Sequence, residues 1–395
     1  MATVSALAVD PKVDLVRERM PAARLTGYFN AGTNGPLPNV VVEALIAAAQ
    51  QEFDTGRTHP AFYGGVKDEW QRLRERIASV FGANADEIAL TRSTTEGINI
   101  ALMGLDWQRG DEVVTTNLEH PGIMVPLALV AHRYGAVIRI ANVGNGGGDV
   151  AAAIQDQITH RTRAIAISHA MWSTGAVIPL RQIADLAHER RILVVVDAAQ
   201  AAGQAPVNLH EVGVDAYAIS GQKWLCGPGG TGALYVRKER HADIRPTYIR
   251  SAMTEPTGYL LPPAGAVRYE IGEFYTPALI GQAAGLAWLQ DQIGFDWIYD
   301  RVASLGQRCW EGLNELDGVS VITPRDRMAG LVCFTVENWH PRRVMEALYQ
   351  RGHTIRFVEY APGPTVARVS CGWWCTEDEV DGLVAAVGEI AATTS

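Results

Sequence analysis

The chain is 395 residues long, two to three times the ~100–150 residues of a common domain, which predicts one large or two coupled domains with a substantial core. Apolar residues make up 48% and charged residues 19%, a balance that excludes a disordered chain. The net charge of −9, without a long basic run, argues against a nucleic-acid partner. No run of ~18 uncharged apolar residues is present, so no membrane partner is expected. Residues 1–10 (MATVSALAVD) lack the basic start of a signal peptide, and a soluble, cytoplasmic protein is expected.

From residue 85 to 236 short apolar runs alternate with amphipathic segments. The runs at 88–91 (IALT), 112–116 (EVVTT), 164–168 (AIAIS), 192–196 (ILVVV), 216–220 (AYAIS) and 233–236 (ALYV) have consecutive apolar positions, as strands covered on both faces do. Between them, LRQIADLAHER at 180–190 places apolar residues at helical spacing. This alternation predicts an α/β fold with a mostly parallel sheet flanked by helices and a ligand site at the carboxyl ends of the strands. The aromatic pair Phe62 and Tyr63, in HPAFYGG, is expected on a loop over the pocket. A turn-rich stretch at 250–268 marks a boundary. Beyond it, a helical run over 277–316, strands at 330–336 and 366–370, and helices at 342–350 and 377–391 predict a smaller α+β domain. The expected division is an N-terminal arm (1–30) packing on the small domain, a large α/β domain (31–255) and the small domain (256–395).

Five cysteines, Cys226, Cys309, Cys333, Cys371 and Cys375, form no CxxC pair and no metal set, so buried free thiols and no metal are expected. The strongest chemical signal is VVVDAAQ at 194–200, followed by Ser220-Gly-Gln-Lys223. An Asp at the end of a buried strand costs several kcal/mol unless a partner compensates it, on the order of the penalty for any buried charge. A protonated pyridine is such a partner, and a lysine beside it suits a Schiff base to an aldehyde cofactor. Upstream, TRSTTEG at 91–97 joins a strand to a helix and offers hydroxyls and amides to a phosphate. His120, in NLEHPG just past another strand, can cover one face of a flat ring.

Together TRSTTEGIN, NLEHPG, VDAAQ and SGQK resemble the class V aminotransferase and cysteine desulfurase family, fold-type I enzymes that use pyridoxal 5′-phosphate (PLP). The resemblance spans roughly residues 28–385. It implies Lys223, His120 and Asp197 as catalytic residues: Lys223 binds the aldehyde, Asp197 meets the pyridine nitrogen and His120 stacks on the ring. It also implies Gln200 at the ring hydroxyl and Thr94, Thr95, Ser220 and Gln222 around the phosphate. Gln222 stands where the family often has His, which removes a positive charge. The family is dimeric, which implies a homodimer with Thr276 reaching the neighbouring site. Arg368 matches the arginine for the substrate carboxylate, with Arg356 a second candidate and Trp172 lining an apolar part of the substrate site.

Family desulfurases carry a nucleophilic cysteine shortly before that arginine, and residues 355–368 contain none. IALMGLDWQRGD, EHPGIM, ISHAMWSTGAVIPL and QKWLCGPGGTGALYV further resemble the cysteine/cystine C–S lyases. The resemblance implies β-elimination from L-cysteine, cystine or a cysteine S-conjugate, the last suiting secondary-metabolite sulfur chemistry. The alternatives are an epimerase, aminotransferase or oxidative decarboxylase/deaminase of the same family. A non-catalytic PLP-fold binding protein is the alternative of another class.

Overall fold

The computed structural model describes residues 10–248, 253–254, 260–261 and 263–393. Seven strands build the central sheet: β1 (Ile88–Thr91), β2 (Glu112–Thr116), β3 (Val137–Ala141), β4 (Thr162–Ser168), β5 (Leu193–Asp197), β6 (Ala216–Ser220) and β7 (Gly232–Val236). Their order is β1-β7-β6-β5-β4-β2-β3, and only β7 runs antiparallel to its neighbours. Successive side chains of β5 explain the unbroken apolar runs: Val194 and Val196 enter the core on one face, Leu193 and Val195 the core on the other. β3 escaped the sequence pattern because it is an edge strand, with Val137 and Ile140 each 47% exposed and Arg139 between them.

A second, antiparallel sheet holds β8 (Val319–Val321), β9 (Leu331–Val336), β10 (Arg356–Val358) and β11 (Val366–Ser370), in the order β8-β9-β11-β10. Its core includes Val16, Met20 and Phe29 from the N-terminal segment. Arg17 there donates two bonds, 2.9 and 2.8 Å, to Glu379 in the closing helix, Glu377–Ala391.

Two expectations change. The helical run over 277–316 is two helices, Thr276–Trp288 and Phe295–Asn314, parted by a π-turn and by Gly294, whose φ of +85° a side chain disfavours. Residues 62 and 63 are not loop but lie in the first turns of helix Pro60–Phe81, because Pro60 is tolerated at a helix start and the amphipathic period after Gly65 extends back through it; the side chains of 61–63 lie outside the described residues. The boundary stretch at 250–268 falls largely outside them as well. No helix among the described residues is long and apolar enough to cross a membrane.

One buried ion pair ties helix Pro60–Phe81 and the segment at Glu270 to the central sheet. Arg74 Nη2 and Nε donate to Glu270 Oε1 at 2.7 and 3.0 Å, and Leu90 N of β1 donates to the same oxygen at 3.0 Å. Removing one partner of such a pair leaves a buried charge uncompensated. Substitution R74M is expected to cost about 3–5 kcal/mol in chemical denaturation, whereas the exposed-pair variant R181M costs under about 1 kcal/mol.

Candidate active site

The carboxyl ends of β1, β2, β4, β5 and β6 converge. Thr91 and Ser220 both pair with Gly232 across β7, and Asp197 pairs with Ser168 on one side and Ala218 on the other. From these ends run the segments carrying Thr94, His120, Trp172, Gln200 and Lys223. The segment after Phe29 closes the site from the N-terminal side. Gly35 N donates to Gln222 O at 2.8 Å, and a Cβ at Gly35 would lie 2.2 Å from Lys223 O. A Cβ at Gly32 would lie 2.8 Å from Arg368 Nη2.

Lys223 and Arg368 take part in no ion pair among the described residues, yet each lies in the electrostatic field of the other and of the groups around it. Burial pushes the Lys223 ammonium down to about 8, with Asp197 acting in the opposite direction and Arg368 adding to the fall. Burial raises the Asp197 carboxyl, against the pull of Lys223 and of the Ala199 N–H bonded to Oδ1 at 2.8 Å. His120 caps the helix Pro121–Tyr134 by accepting at Nδ1 from Gly122 N, 2.9 Å away. Its ring is therefore the Nε2–H tautomer, and burial, Lys223 and Arg368 lower it to about 4. A neutral, flat ring results.

The helix Thr94–Met103 begins in this cleft, capped by Ser93. Thr94 Oγ1 is buried without a partner among the described residues, and Thr95 is exposed beside it. A helix N-terminus with an orphaned hydroxyl is an anion site. Ser220 Oγ donates to Gln222 Oε1 at 2.9 Å near the same sheet end. Gln200 is buried and engaged: Nε2 donates to Gly32 O at 2.8 Å and Oε1 accepts from Trp224 Nε1 at 3.3 Å, leaving one amide hydrogen uncommitted.

Arg368 comes from β11. Its Nη1 donates to Trp172 O at 3.2 Å, while Nε is buried without a partner among the described residues. A buried guanidinium with a free N–H and no carboxylate is prepared for an anionic ligand. Arg356 is opposite Arg368 on β10 but exposed, its guanidinium 5.8 Å from the Phe357 ring. Thr276 is not brought to Lys223. It lines a separate cavity of about 810 Å³ with Arg74, Arg268 and Phe274.

Sequence reading passed over three groups. Glu119, beside His120, accepts from Thr116 Oγ1 at 2.7 Å and from Ser168 N and Oγ at 2.9 and 2.6 Å. Burial pushes its carboxyl up to about 7, opposed by these bonds and aided by Asp197. His169 Nδ1 lies 2.8 Å from Tyr217 Oη behind Asp197. Tyr360 meets Trp172 edge-on. Glu119 stood in the quoted NLEHPG, but two of its three bonds come from Ser168, on a strand far along the chain.

The arrangement defines a class first: an α/β enzyme fold with an unpaired lysine, a carboxylate and a neutral imidazole at the strand ends, and an arginine supplied by a second layer. The chain belongs to the aminotransferase class-V family, whose model matches residues 28–383. A protein of Mycobacterium leprae described as probable cysteine desulfurase 2 is 31% identical, covering 96% of this chain and 95% of that one. The cystine C–S lyase C-DES, solved with its reaction product cysteine persulfide, is 31% identical with a TM-score of 0.88, over 94% of this chain and 99% of that one. A cysteine desulfurase of Thermococcus onnurineus is 26% identical with a TM-score of 0.87, over 96% and 98% of the two chains.

Glu119 supplies a test. Its folded value near 7 lies above the ordinary 4.5, so its protonated form is favoured by folding. Its contribution is complete below about 4.5 and is lost as pH rises through about 7. The apoprotein's unfolding free energy is expected to fall across that window, and the fall to be smaller in E119Q. Parallel pH profiles for the two proteins contradict the assignment.

Proposed function

We propose that this chain is a PLP-dependent carbon–sulfur β-lyase acting on L-cysteine, cystine or a cysteine S-conjugate. The residues fit the cofactor. The orphaned Thr94 hydroxyl and the free amides of its helix suit the phosphate, with Thr95, Ser220 and Gln222 around it. Lys223 suits the aldehyde, Asp197 the pyridine nitrogen, Gln200 the ring hydroxyl, and the neutral His120 ring a stacking face. When bound, PLP supplies a sink for the electron pair left at the substrate's Cα.

The chain's own groups do the rest. Arg368 Nε and Nη2 hold the substrate carboxylate and so fix Cα near Lys223. With its ammonium lowered to about 8, Lys223 is available near neutral pH as the base that takes the Cα proton. The C–S bonding pair leaves with sulfur. In sum, RS–CH₂–CH(NH₃⁺)–COO⁻ and water give RSH, pyruvate and ammonium.

The observation that carries the lyase over the desulfurase is the state of the thiols. None lies on the segment before Arg368, and all five are buried. Cys333, paired with Arg368 across β9 and β11, is pushed up to about 12 by burial. No thiolate nucleophile is offered to the substrate sulfur. With L-cystine, the PLP-loaded protein is expected to form pyruvate and cysteine persulfide in equal amounts, and K223A to form neither. Alanine, a D-isomer, a keto acid retaining sulfur or a decarboxylated product in place of pyruvate overturns the reading.

We also propose a homodimer. Val42, Ile46 and Phe53 lie exposed on helix Asn39–Thr55, Phe53 by 83%, and exposed Tyr275 adjoins the cavity that holds Thr276. Apolar surface of this kind marks an interface, and a second copy there lets Thr276 serve the neighbouring phosphate. The double variant I46E/F53E is expected to halve the mass in light scattering and to weaken PLP retention. An unchanged mass contradicts the placement of the interface.

A further inference from the structure

The segment between β10 and β11 folds back over the turn that carries Trp172. A Cβ built on Gly363 would lie 3.6 Å from Ser173 Oγ, which is buried and without a partner among the described residues. The Tyr360 ring stands 6.0 Å from the Trp172 ring at 60°. The Trp172 ring also meets His120 edge-on, 4.7 Å between centroids and 85° between planes. The Trp172 carbonyl accepts from Arg368. Behind the pair, Trp172 packs with Ile322 against buried Cys333, Val358 and Val366. Both rings remain partly exposed.

One wall thus begins at the imidazole, passes the carboxylate-binding arginine and ends at a phenol. A substrate with its carboxylate on Arg368 and its Cα near Lys223 must send its β-carbon and sulfur along this wall. We propose that Trp172 and Tyr360 form the subsite for the sulfur substituent, and that the preferred substrate is an L-cysteine whose sulfur carries an aromatic or other flat apolar group. This rests on the lyase reading above and names its substrate class. Two aromatic rings, the Trp172 ring backed by apolar side chains, reward burial of such a group and give little to the hydrogen or methyl of a small thiol. Where a desulfurase would need a thiol on this segment, Tyr360 offers a surface.

The test separates the subsite from the chemistry. 3-(Phenylthio)propanoate and 3-(methylthio)propanoate lack the amino group and cannot react, so calorimetric titration of the PLP-loaded protein reads binding alone. The phenyl compound is expected to bind at least about tenfold more tightly, a difference of about 1.4 kcal/mol. That ratio is expected to collapse in W172A and Y360A and to survive in Y360F, where the ring is kept. Equal binding of the two compounds by the wild-type protein, or a ratio retained in both alanine variants, overturns the subsite. Pyruvate release from S-phenyl-L-cysteine and S-methyl-L-cysteine is measured alongside. Selective binding without pyruvate from either leaves the subsite standing and removes the lyase reading. Pyruvate with no phenyl preference does the reverse.

Discussion

Everything in the site depends on one unpaired cation, Lys223, held in the field of Asp197 at the carboxyl ends of adjacent strands. A lysine left free there must lose part of its charge, and burial lowers it to about 8. A carboxylate in the same place must be compensated, and among the described residues Lys223 and the Ala199 N–H oppose the effect of burial on Asp197. Both charges are thus held against the cost of burial, which their mutual attraction offsets only in part and which a cationic pyridine and an aldehyde would relieve. The parallel sheet makes this possible, because it delivers both side chains to the same edge from neighbouring strands.

The second layer contributes what the first cannot. Arg368 sits in the middle of an antiparallel sheet, 3% exposed, with the thiol of Cys333 and the guanidinium of Arg356 as its cross-strand neighbours. Its charge finds no carboxylate among the described residues, and burial lowers it to about 10. An arginine is retained in such surroundings at a cost in stability. On the proposed reading the compensation would come from a ligand carboxylate rather than from the fold. Gly32 and Gly35 are the joints between the layers, since a side chain at either would meet Arg368 or the Lys223 backbone.

Much of this was legible in the amino-acid order because the signals were local. Strands covered on both faces read as unbroken apolar runs, and an Asp ending such a run, like a Lys three residues past the end of the next, had no structural reason to be there. The edge strand at 137–141 was not legible, for its alternation is broken where solvent replaces a neighbouring layer. Helix Pro60–Phe81 was misread at its start, where two glycines imitate a turn. Glu119 and His169 stayed hidden although their segments were quoted, because what makes them significant is Ser168 and Tyr217, residues remote in sequence. Gly32 and Gly35 were hidden for the same reason: a close approach between chain segments leaves no mark in either one.

The absence of a reachable thiol separates carbon–sulfur elimination from sulfur transfer on this fold. The most direct measurement is intact-protein mass spectrometry after turnover of L-cystine by the PLP-loaded enzyme, with the small-molecule products analysed in the same sample. Pyruvate accumulating while the protein mass stays unchanged is the predicted result, the sulfur leaving as a free persulfide. Alanine accumulating with sulfur added to the protein would contradict the account.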